Sequence, residues 1–419
     1  MTSYNQVINL GCRLNAYESQ VMQDLAKQAG LENTIIVNTC AVTAEAERQA
    51  RQLIRKMHRD NPSAQIVVTG CSAQIKPNDY SIIPGVSKVI GNEEKMHLST
   101  YQNIHTSDAV VVSDIMQVKE TAAHLVSGFD GKARAFVQVQ NGCDHRCTFC
   151  TIPFGRGNSR SVAIGEIVAQ VKHLLNLGFQ EIVFTGVDIT GYGADLPGKP
   201  TLGEMCKRVL TLVPEFKRLR LSSVDPVEID DALWNLIANE PRLMPHLHLS
   251  LQAGDDMILK RMKRRHLRQD AIDFCKLAKQ LRPDVVFGAD LIAGFPTETD
   301  EMFLNTLNII DECSLTHLHV FPYSSRENTP AARMPQVKKE IRKERAKILR
   351  DKGAAKLQEN LVFYVDKKVS VLIEESDQGI AKGKTDHFMP IILNEDIPVA
   401  TIVQAKILNS NEFHLEGCL

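Results

Sequence analysis

The chain has 419 residues, of which 43 % are hydrophobic and 24 % charged, and its formal net charge is −1 at pH 7. These values are typical of globular proteins and exclude a disordered or collagen-like chain, and the length is sufficient for two or three domains. The first ten residues lack the basic and apolar segments of a signal peptide, and no apolar run is long enough to span a membrane. A cytoplasmic protein without membrane contact is therefore expected. Its ten cysteines are then expected to be metal ligands, catalytic thiols or core residues, because a reducing compartment does not sustain disulfides.

The first predicted elements are short strands at residues 6–10, 34–38 and 65–69, and helical patterns follow the first two. Gly30 and Pro62 lie where these helices should end. Each strand is followed by a cysteine: Cys12, Cys40 and Cys71. The carboxyl ends of parallel strands lie along one edge of a sheet, so the three thiols are expected to converge. Small residues at tight turns are the alternative interpretation, but the repetition in three successive units argues against it.

Residues 100–133 have little periodicity apart from "AVVVSDIM" and are interpreted as a linker region. From Arg134 the alternation of strands and helices resumes, with strands predicted at 135–140, 181–186, 218–223, 246–251, 285–294 and 316–323. Six βα units are too few for a closed eight-stranded barrel and predict an open, three-quarter barrel, with functional groups at its C-terminal edge. From Phe363 short strands separated by turn residues predict a small all-β domain of the barrel type.

The stretch "NGCDHRCTFCTI" places Cys143, Cys147 and Cys150 at C-x3-C-x2-C spacing. Three thiolates from one loop can hold three irons of a [4Fe–4S] cluster and leave the fourth iron open to a substrate. Zinc is a competing interpretation, although structural zinc sites take four protein ligands and usually contain paired C-x2-C knuckles. A thioredoxin-like pair, Cys147 with Cys150, is a second alternative, weakened by the third cysteine.

This spacing, with Phe149 just before the last cysteine, resembles the signature of radical S-adenosylmethionine enzymes. The resemblance implies that the amine and carboxylate of S-adenosylmethionine chelate the open iron, and that the reduced cluster cleaves it to a 5′-deoxyadenosyl radical. Cys143, Cys147 and Cys150 would then be the catalytic cysteines, and Phe149 a cofactor contact.

The segments "LGCRLNAYES", "VNTCAVTAEAERQARQLIRK" and "VTGCSAQ" resemble the N-terminal domain of the methylthiotransferases within that superfamily. "GCDHRCTFCTIPFGRGNSRS" and "PYSSRENTPAARMPQV" match the same family. In "RENTPA", Asn328 replaces a common Gly, and because Asn tolerates a left-handed conformation the turn is expected to persist. The resemblance implies a second [4Fe–4S] cluster on Cys12, Cys40 and Cys71, and a C-terminal RNA-binding barrel of the TRAM type.

The fold class expected is therefore α/β: an N-terminal α/β domain with a parallel sheet, a central six-βα open barrel and a small C-terminal all-β barrel. The domains are expected at residues 1–105 (methylthiotransferase N-terminal domain), 106–128 (linker), 129–357 (radical S-adenosylmethionine core) and 358–419 (TRAM-like domain).

Three branches of the family differ in substrate. "LGCRLN", Asp144 and "FTGVDITGYG" are most similar to the branch that acts on N6-threonylcarbamoyladenosine at position 37 of tRNA. The resemblance implies insertion of CH3S at carbon 2 of that adenine, with S-adenosylmethionine and two [4Fe–4S] clusters as cofactors. The implied partners are tRNA and an electron donor such as flavodoxin or ferredoxin. The alternatives are the same reaction on isopentenyladenosine or on a ribosomal protein aspartate, and, from another class, a non-catalytic metal-binding RNA module.

Further cofactor contacts are expected at the strand ends: Gly186, Val187, Asp188, Ser222, Ser223 and Gln252. A tight turn or ordinary strand-end capping explains these residues about equally well. His246 with His248, and His317 with His319, are interpreted as hydrogen-bonded imidazoles inside the barrel rather than metal ligands. The basic stretch "KRMKRRHLR", residues 260–268, is either a phosphate-binding stripe or a solvated helix face.

Overall fold

The structure is a computed structural model and describes residues 5–106, 108–120, 124, 126 and 133–419. A parallel sheet of five strands forms its N-terminal part, in the order β1-β2-β3-β4-β5. The strands are β1 Gln6–Asn9, β2 Thr34–Thr39, β3 Gln65–Gly70, β4 Val86–Ile90 and β5 Val110–Val111. The helices are α1 Arg13–Gln28, α2 Ala44–Asp60, α3 Cys71–Ile75, α4 Pro77–Ser81 and α5 Leu98–Gln102, with 3-10 turns at Glu94–Met96 and Ile115–Gln117.

The three strands and two helices predicted here are confirmed. Thr43 caps α2 by accepting a hydrogen bond from the Ala46 amide. Gly30, just past the end of α1, has a φ of 67°, the left-handed conformation typical of a residue that ends a helix.

The fifth strand lies within residues 106–128, which the sequence predicts to be a linker. For Val110–Val111 that interpretation is wrong, because these residues pair in parallel with Val89 and Ile90 of β4. The β-branched stretch "AVVVSDIM" was the available signal, but a two-residue strand is too short to be assigned from its pattern, and its pairing with β4 establishes it. The predicted boundary between 128 and 129 lies outside the described residues.

The central part contains six parallel strands: β6 Arg134–Gln138, β9 Glu181–Thr185, β10 Arg218–Leu221, β11 His246–Gln252, β12 Val286–Ala293 and β13 Leu315–Pro322. They form two three-stranded sheets, β6-β9-β10 and β11-β12-β13, joined by isolated parallel bridges such as Val224 with Leu249. Within the described residues no pairing closes β13 onto β6, so the barrel is open, as predicted. The helices are α7 Ile164–Asn176, α8 Leu202–Leu212, α9 Asp231–Asn239, α10 Asp256–Met262, α11 Arg268–Leu281 and α12 Asp300–Glu312.

Short elements follow the first barrel strand. A small antiparallel pair, β7 Gln140–Asn141 and β8 Arg160–Ser161, flanks helix α6 Ile152–Arg156. Two further 3-10 turns are at Ile189–Gly191 and Pro330–Arg333. Asn328 has a φ of 68°, which confirms the left-handed turn expected there.

Helix α13 Lys339–Phe363 connects the open barrel to a closed C-terminal barrel. Its strands are β14 Lys368–Asp377, β15 Ile380–Thr385, β16 Pro390–Leu393, β17 Ile402–Ser410 and β18 Leu415–Cys418, in the order β14-β15-β16-β18-β17. The boundary expected between 357 and 358 falls inside α13, and Leu361 of this helix packs into the core of the closed barrel. The last turns of the helix therefore pack with the C-terminal barrel.

The interior of the open barrel is polar and charged at the amino ends of its strands. Glu181 of β9 pairs with Arg134 of β6 at 2.8 Å and with Arg220 of β10 at 2.7 Å. Phe388 of the C-terminal barrel lies over both guanidinium groups, at 5.0 and 5.1 Å from its ring centroid, and stacks on His246. The C-terminal barrel thus covers the amino ends of the strands, while their carboxyl ends face the N-terminal sheet.

Candidate active site

The three N-terminal cysteines lie at one edge of the parallel sheet. Cys12 immediately precedes α1, Cys40 follows β2 directly, and Cys71 is the first residue of α3, directly after β3. Strands β1, β2 and β3 are neighbours, so their carboxyl ends place the three residues together. The Val42 amide donates a hydrogen bond to the Cys40 thiol at 3.5 Å. Burial raises the pKa of Cys40 to about 11, and the nearby Cys71 and Cys12 add to this effect.

The other three cysteines lie on the irregular segment between β7 and α6. The Cys143 amide donates to the carbonyl oxygen of Gly157 at 3.1 Å, and Asp144 accepts a hydrogen bond from the Ser159 amide at 2.9 Å, so the segment is anchored to its returning chain. The Ile152 amide donates to the Cys150 sulfur at 3.4 Å. Arg264 places a guanidinium nitrogen 3.9 Å from the Cys147 sulfur. Amide and guanidinium donors directed at sulfur favour its anionic form.

None of these six cysteines forms a disulfide, and three free thiols at each triad fit an iron–sulfur cluster. Burial raises the pKa of Cys150 to about 12, with Cys147 and Cys71 adding to the effect, so in the absence of a cation this thiol keeps its proton. Bound metal displaces such protons and makes thiolates the stable form.

Two groups of described residues place possible metal-ligand atoms within 4.8 Å of one another: Cys143, His145 and Asp188, and His248, Asp290 and His319. His145, however, pairs with Asp188 at 2.9 Å and lies 3.7 Å from Glu228. Its hydrogen bonds to these carboxylates raise the pKa of His145 to about 9. The Nε2 atom of His145 is thus already engaged with Asp188, and Arg265 lies within hydrogen-bonding distance of the same atom.

The two cysteine triads face each other across the junction of α3 and α6. A Cβ on Gly155 of α6 would stand 3.2 Å from Cys71, so the absence of a side chain there permits the close approach. Thr151 donates to the carbonyl oxygen of Ala41, next to Cys40, at 3.4 Å. The segments that carry the two cysteine triads are therefore in direct contact.

A buried charge network fixes this junction. Glu18 of α1 accepts hydrogen bonds from Arg156 of α6 at 2.7 Å and from Lys95 at 2.6 Å, and none of the three side chains is more than 2 % exposed. Burial alone would raise the pKa of Glu18, but Arg156 and Lys95 outweigh it and lower the pKa to about 2. The network joins the helix after Cys12 to the helix after Cys150.

Glu18→Gln is expected to destabilise the protein by about 3–5 kcal/mol, because it leaves two buried cations without a counter-charge. The midpoint and slope of urea unfolding measure the effect.

Because the folded-state pKa of Glu18 lies below the ordinary value of 4.5, the stabilisation is complete above that pH and is lost as pH falls toward 2. The exposed Glu45→Gln, which breaks a pair with Arg48, is the matched control and should change stability little. Equal stability of the two variants would contradict this role for Glu18.

A cavity of about 550 Å³ opens between the N-terminal sheet and the carboxyl ends of the barrel strands. Its wall includes Cys12 and six of the seven residues expected to contact the cofactor: Phe149, Gly186, Val187, Ser222, Ser223 and Gln252. Asp188 is not in this wall, because its carboxylate is directed at His145 and lies 3.9 Å from the Cys143 sulfur. The cavity thus brings Cys12 of the first triad and the barrel strand ends to one space of small-molecule size.

The turn after β9 is shaped by a protein contact. Gln140 accepts hydrogen bonds from the amides of Val187 and Asp188 at 3.0 and 2.9 Å, and a Cβ on Gly186 would come within 2.8 Å of the same oxygen. Packing against Gln140 therefore accounts for the glycine. Gln252, at the end of β11, has a φ of 70°, a strained conformation for this residue type that is common at functional sites.

Sequence reasoning missed three charged residues of the cavity wall: Arg13, Arg156 and Asp290. Asp290 of β12 accepts hydrogen bonds from His248 at 3.1 Å and from His319 at 3.2 Å. His248 and His319 are hydrogen-bonded as predicted, although His319 is exposed, and a carboxylate accompanies them, contrary to expectation. His317 contacts the Thr316 hydroxyl through Nδ1. The buried Nε2 of His246 has no hydrogen-bond partner among the described residues, so the prediction of a hydrogen-bonded imidazole is not borne out there. The sequence signal for Asp290 was a carboxylate on a predicted barrel strand, at a position that faces the interior.

The basic stretch 260–268 is largely engaged within the protein. Arg264 pairs with Asp225 at 2.8 Å, Arg268 pairs with Glu312 at 2.6 Å, and Arg265 pairs with Glu228. These pairings weaken the interpretation of the whole stretch as a phosphate-binding stripe.

Known proteins match this arrangement. The model of the radical SAM superfamily matches residues 137–310, and that of the uncharacterized protein family UPF0004 matches residues 5–91. A Rickettsia prowazekii protein described as threonylcarbamoyladenosine tRNA methylthiotransferase MtaB is 57 % identical over 414 residues, covering 99 % of this chain and 97 % of the relative. The chain belongs to the MtaB-like branch of the radical S-adenosylmethionine methylthiotransferases. It is therefore an enzyme of methylthio transfer, as the resemblance predicted.

Two further matches are more distant. A Staphylococcus epidermidis protein described as tRNA-2-methylthio-N(6)-dimethylallyladenosine synthase is 30 % identical over 430 residues, 97 % of this chain and 83 % of the relative. The solved radical S-adenosylmethionine methyltransferase TsrM of Kitasatospora setae aligns with a TM-score of 0.58 at 15 % identity, over 79 % of this chain and 77 % of that one. The latter supports the fold class. Among the described residues no helix has the length and apolar character needed to cross a bilayer.

Proposed function

We propose that this methylthiotransferase acts on N6-threonylcarbamoyladenosine at position 37 of tRNA and inserts CH3S at carbon 2 of the adenine. The observation that carries the proposal is the 57 % identity, over nearly the full length of both chains, to a relative described as threonylcarbamoyladenosine tRNA methylthiotransferase. The cavity shared by Cys12 and the barrel strand ends supports it, because both halves of such a reaction need access to one substrate atom.

Two [4Fe–4S] clusters would be held by the cysteines, one by Cys143, Cys147 and Cys150, and one by Cys12, Cys40 and Cys71. With S-adenosylmethionine these groups would supply the 5′-deoxyadenosyl radical and the methylthio group. The chain's own task is to bind, orient and shield the reactants. Glu18 and Arg156 hold the two triads at a fixed separation, and the packing of α6 against α3 limits the entry of water between them.

Phe149, Gly186, Val187, Ser222, Ser223 and Gln252 would contact S-adenosylmethionine from the cavity wall. Asp188 would act indirectly, by orienting His145 beside the Cys143 thiol. Phe149 packs edge-on against Phe295 at 6.2 Å, which fixes its ring at the cavity.

The C-terminal barrel would bind tRNA in the manner of a TRAM domain. The proposal also includes domain limits near residues 105, 128 and 357. Phe413, an exposed aromatic residue of this barrel, offers a ring on which a base can stack, and the exposed Leu408 adds apolar surface. A tRNA substrate implies the cytoplasm, and the chemistry requires a one-electron donor of the flavodoxin or ferredoxin class.

The test compares two anticodon stem–loop RNAs, one carrying N6-threonylcarbamoyladenosine and one carrying N6-isopentenyladenosine. The reconstituted, reduced enzyme is expected to add a methylthio group to the first and not the second, as nucleoside mass spectrometry of the digested RNA would measure. Conversion of the isopentenyl RNA alone would move the chain to the activity of its 30 % identical relative. Failure with both RNAs but methylthiolation of a ribosomal protein would contradict a tRNA substrate, and absence of 5′-deoxyadenosine would favour a non-catalytic module.

A further inference from the structure

The cavity wall contains one charged side chain that makes no ion pair or side-chain hydrogen bond with the described residues. Its wall has a single carboxylate, Asp290, which already accepts hydrogen bonds from His248 and His319. Arg156, also in the wall, is paired with Glu18. The remaining guanidinium belongs to Arg13.

Arg13 is the first residue of α1 and follows Cys12 directly. Its side chain is half-buried, and among the described residues it makes no ion pair or side-chain hydrogen bond. The guanidinium lies 5.9 Å from the ring centroid of Phe388. The charge of Arg220 repels it, and the carboxylates of Asp290 and Glu181 attract it without forming an ion pair or a hydrogen bond with it. A half-buried guanidinium without a hydrogen-bonded acceptor is only partly compensated by such nearby charges, and a bound molecule that supplies an acceptor would stabilise it.

The fork of the guanidinium is suited to a planar carboxylate, which it can bind through two parallel hydrogen bonds. Two reactants of the proposed reaction carry a carboxylate. That of S-adenosylmethionine is expected to chelate the open iron, so it is already engaged. The threonylcarbamoyl group of the nucleoside ends in a carboxylate with no other cationic partner in the cavity wall.

We propose that Arg13 binds the carboxylate of the threonylcarbamoyl group and thereby selects this nucleoside over isopentenyladenosine. The inference rests on the proposed function and names its specificity-determining residue. An isopentenyl group is apolar and would leave the guanidinium desolvated and unpaired, so the same side chain attracts one nucleoside and disfavours the other.

The experiment measures the binding of two stem–loop RNAs to the cluster-loaded enzyme by fluorescence anisotropy, without reductant and therefore without turnover. One RNA carries N6-threonylcarbamoyladenosine, and the other carries its methyl ester, which has nearly the same shape but no charge. The wild-type enzyme is expected to prefer the carboxylate by about 10- to 100-fold. Arg13→Gln should bind both RNAs equally, and Arg13→Lys, which keeps the charge without the fork, should retain part of the preference.

Arg208→Gln on the outer helix α8 removes an exposed arginine and is the matched control, expected to keep the full preference. Iron content and 5′-deoxyadenosine formation without RNA are measured for both variants, and Arg208→Gln should equal the wild type in both.

The inference would be overturned if Arg13→Gln retained the preference for the carboxylate RNA. It would also be overturned if the wild-type enzyme bound the two RNAs equally, a result that can be obtained without any variant. Loss of iron with the preference intact would assign Arg13 to the cluster at Cys12, and weaker S-adenosylmethionine binding with the preference intact would assign it to that cofactor. A wild-type enzyme that binds the carboxylate RNA preferentially but does not methylthiolate it would instead count against the proposed function.

Discussion

Replacement of Cys147 by alanine is expected to abolish both 5′-deoxyadenosine formation and methylthiolation. Cys147 is the middle ligand of the proposed open-iron cluster, and Arg264 lies 3.9 Å from its sulfur. Two remaining thiols on an irregular segment cannot hold three irons. The rate of both reactions should fall by more than about 100-fold, because removal of a residue that only hydrogen-bonds to a metal ligand already costs about 10- to 100-fold. Anaerobic incubation with S-adenosylmethionine and dithionite, followed by chromatography of 5′-deoxyadenosine, measures the result.

The matched control is Cys418→Ala, which removes a half-buried thiol from the last strand of the C-terminal barrel. This variant should retain full activity. Wild-type rates of S-adenosylmethionine cleavage in Cys147→Ala would contradict the assignment of the catalytic cysteines.

Replacement of Cys12 by alanine should separate the two halves of the reaction. Cys12 lies in the cavity wall at the first triad, whereas Cys143, Cys147 and Cys150 are held by the segment before α6. The variant is therefore expected to form 5′-deoxyadenosine at a rate close to that of the wild type while methylthiolated RNA falls by more than about 100-fold. Both products can be followed in the same reaction by mass spectrometry.

Iron analysis provides the accompanying check, because Cys12→Ala should lose about half of the bound iron if each triad holds one four-iron cluster. Methylthiolated RNA at wild-type levels would show that Cys12 is not needed for the auxiliary cluster. A parallel loss of 5′-deoxyadenosine would show that the triads do not act separately.

Much of the fold could be predicted because its elements have local causes. The six barrel strands agree with the predicted ranges to within about two residues, since buried parallel strands are continuous apolar runs bounded by turns. Cys12, Cys40 and Cys71 could be brought together in advance, because strand ends of one parallel sheet share an edge. Val110–Val111 was missed because its only cause is pairing with β4.

The charged residues around the cavity depend on partners that are remote in sequence. Glu18 and Arg156 are 138 residues apart, and Asp290 is 42 residues from His248. No pattern in a single sequence pairs such residues. Arg13 stood within the quoted motif "LGCRLN", but its lack of a partner is visible only when the cavity wall is assembled.

The central claim is tested most directly by nucleoside mass spectrometry of total tRNA from cells with and without this chain. Loss of 2-methylthio-N6-threonylcarbamoyladenosine, with a matching rise of N6-threonylcarbamoyladenosine, is the predicted result, and expression of the wild-type chain should restore the modified nucleoside. An unchanged threonylcarbamoyl pool with loss of the methylthiolated isopentenyl nucleoside would contradict the proposed substrate, and no change in either pool would contradict a tRNA substrate altogether.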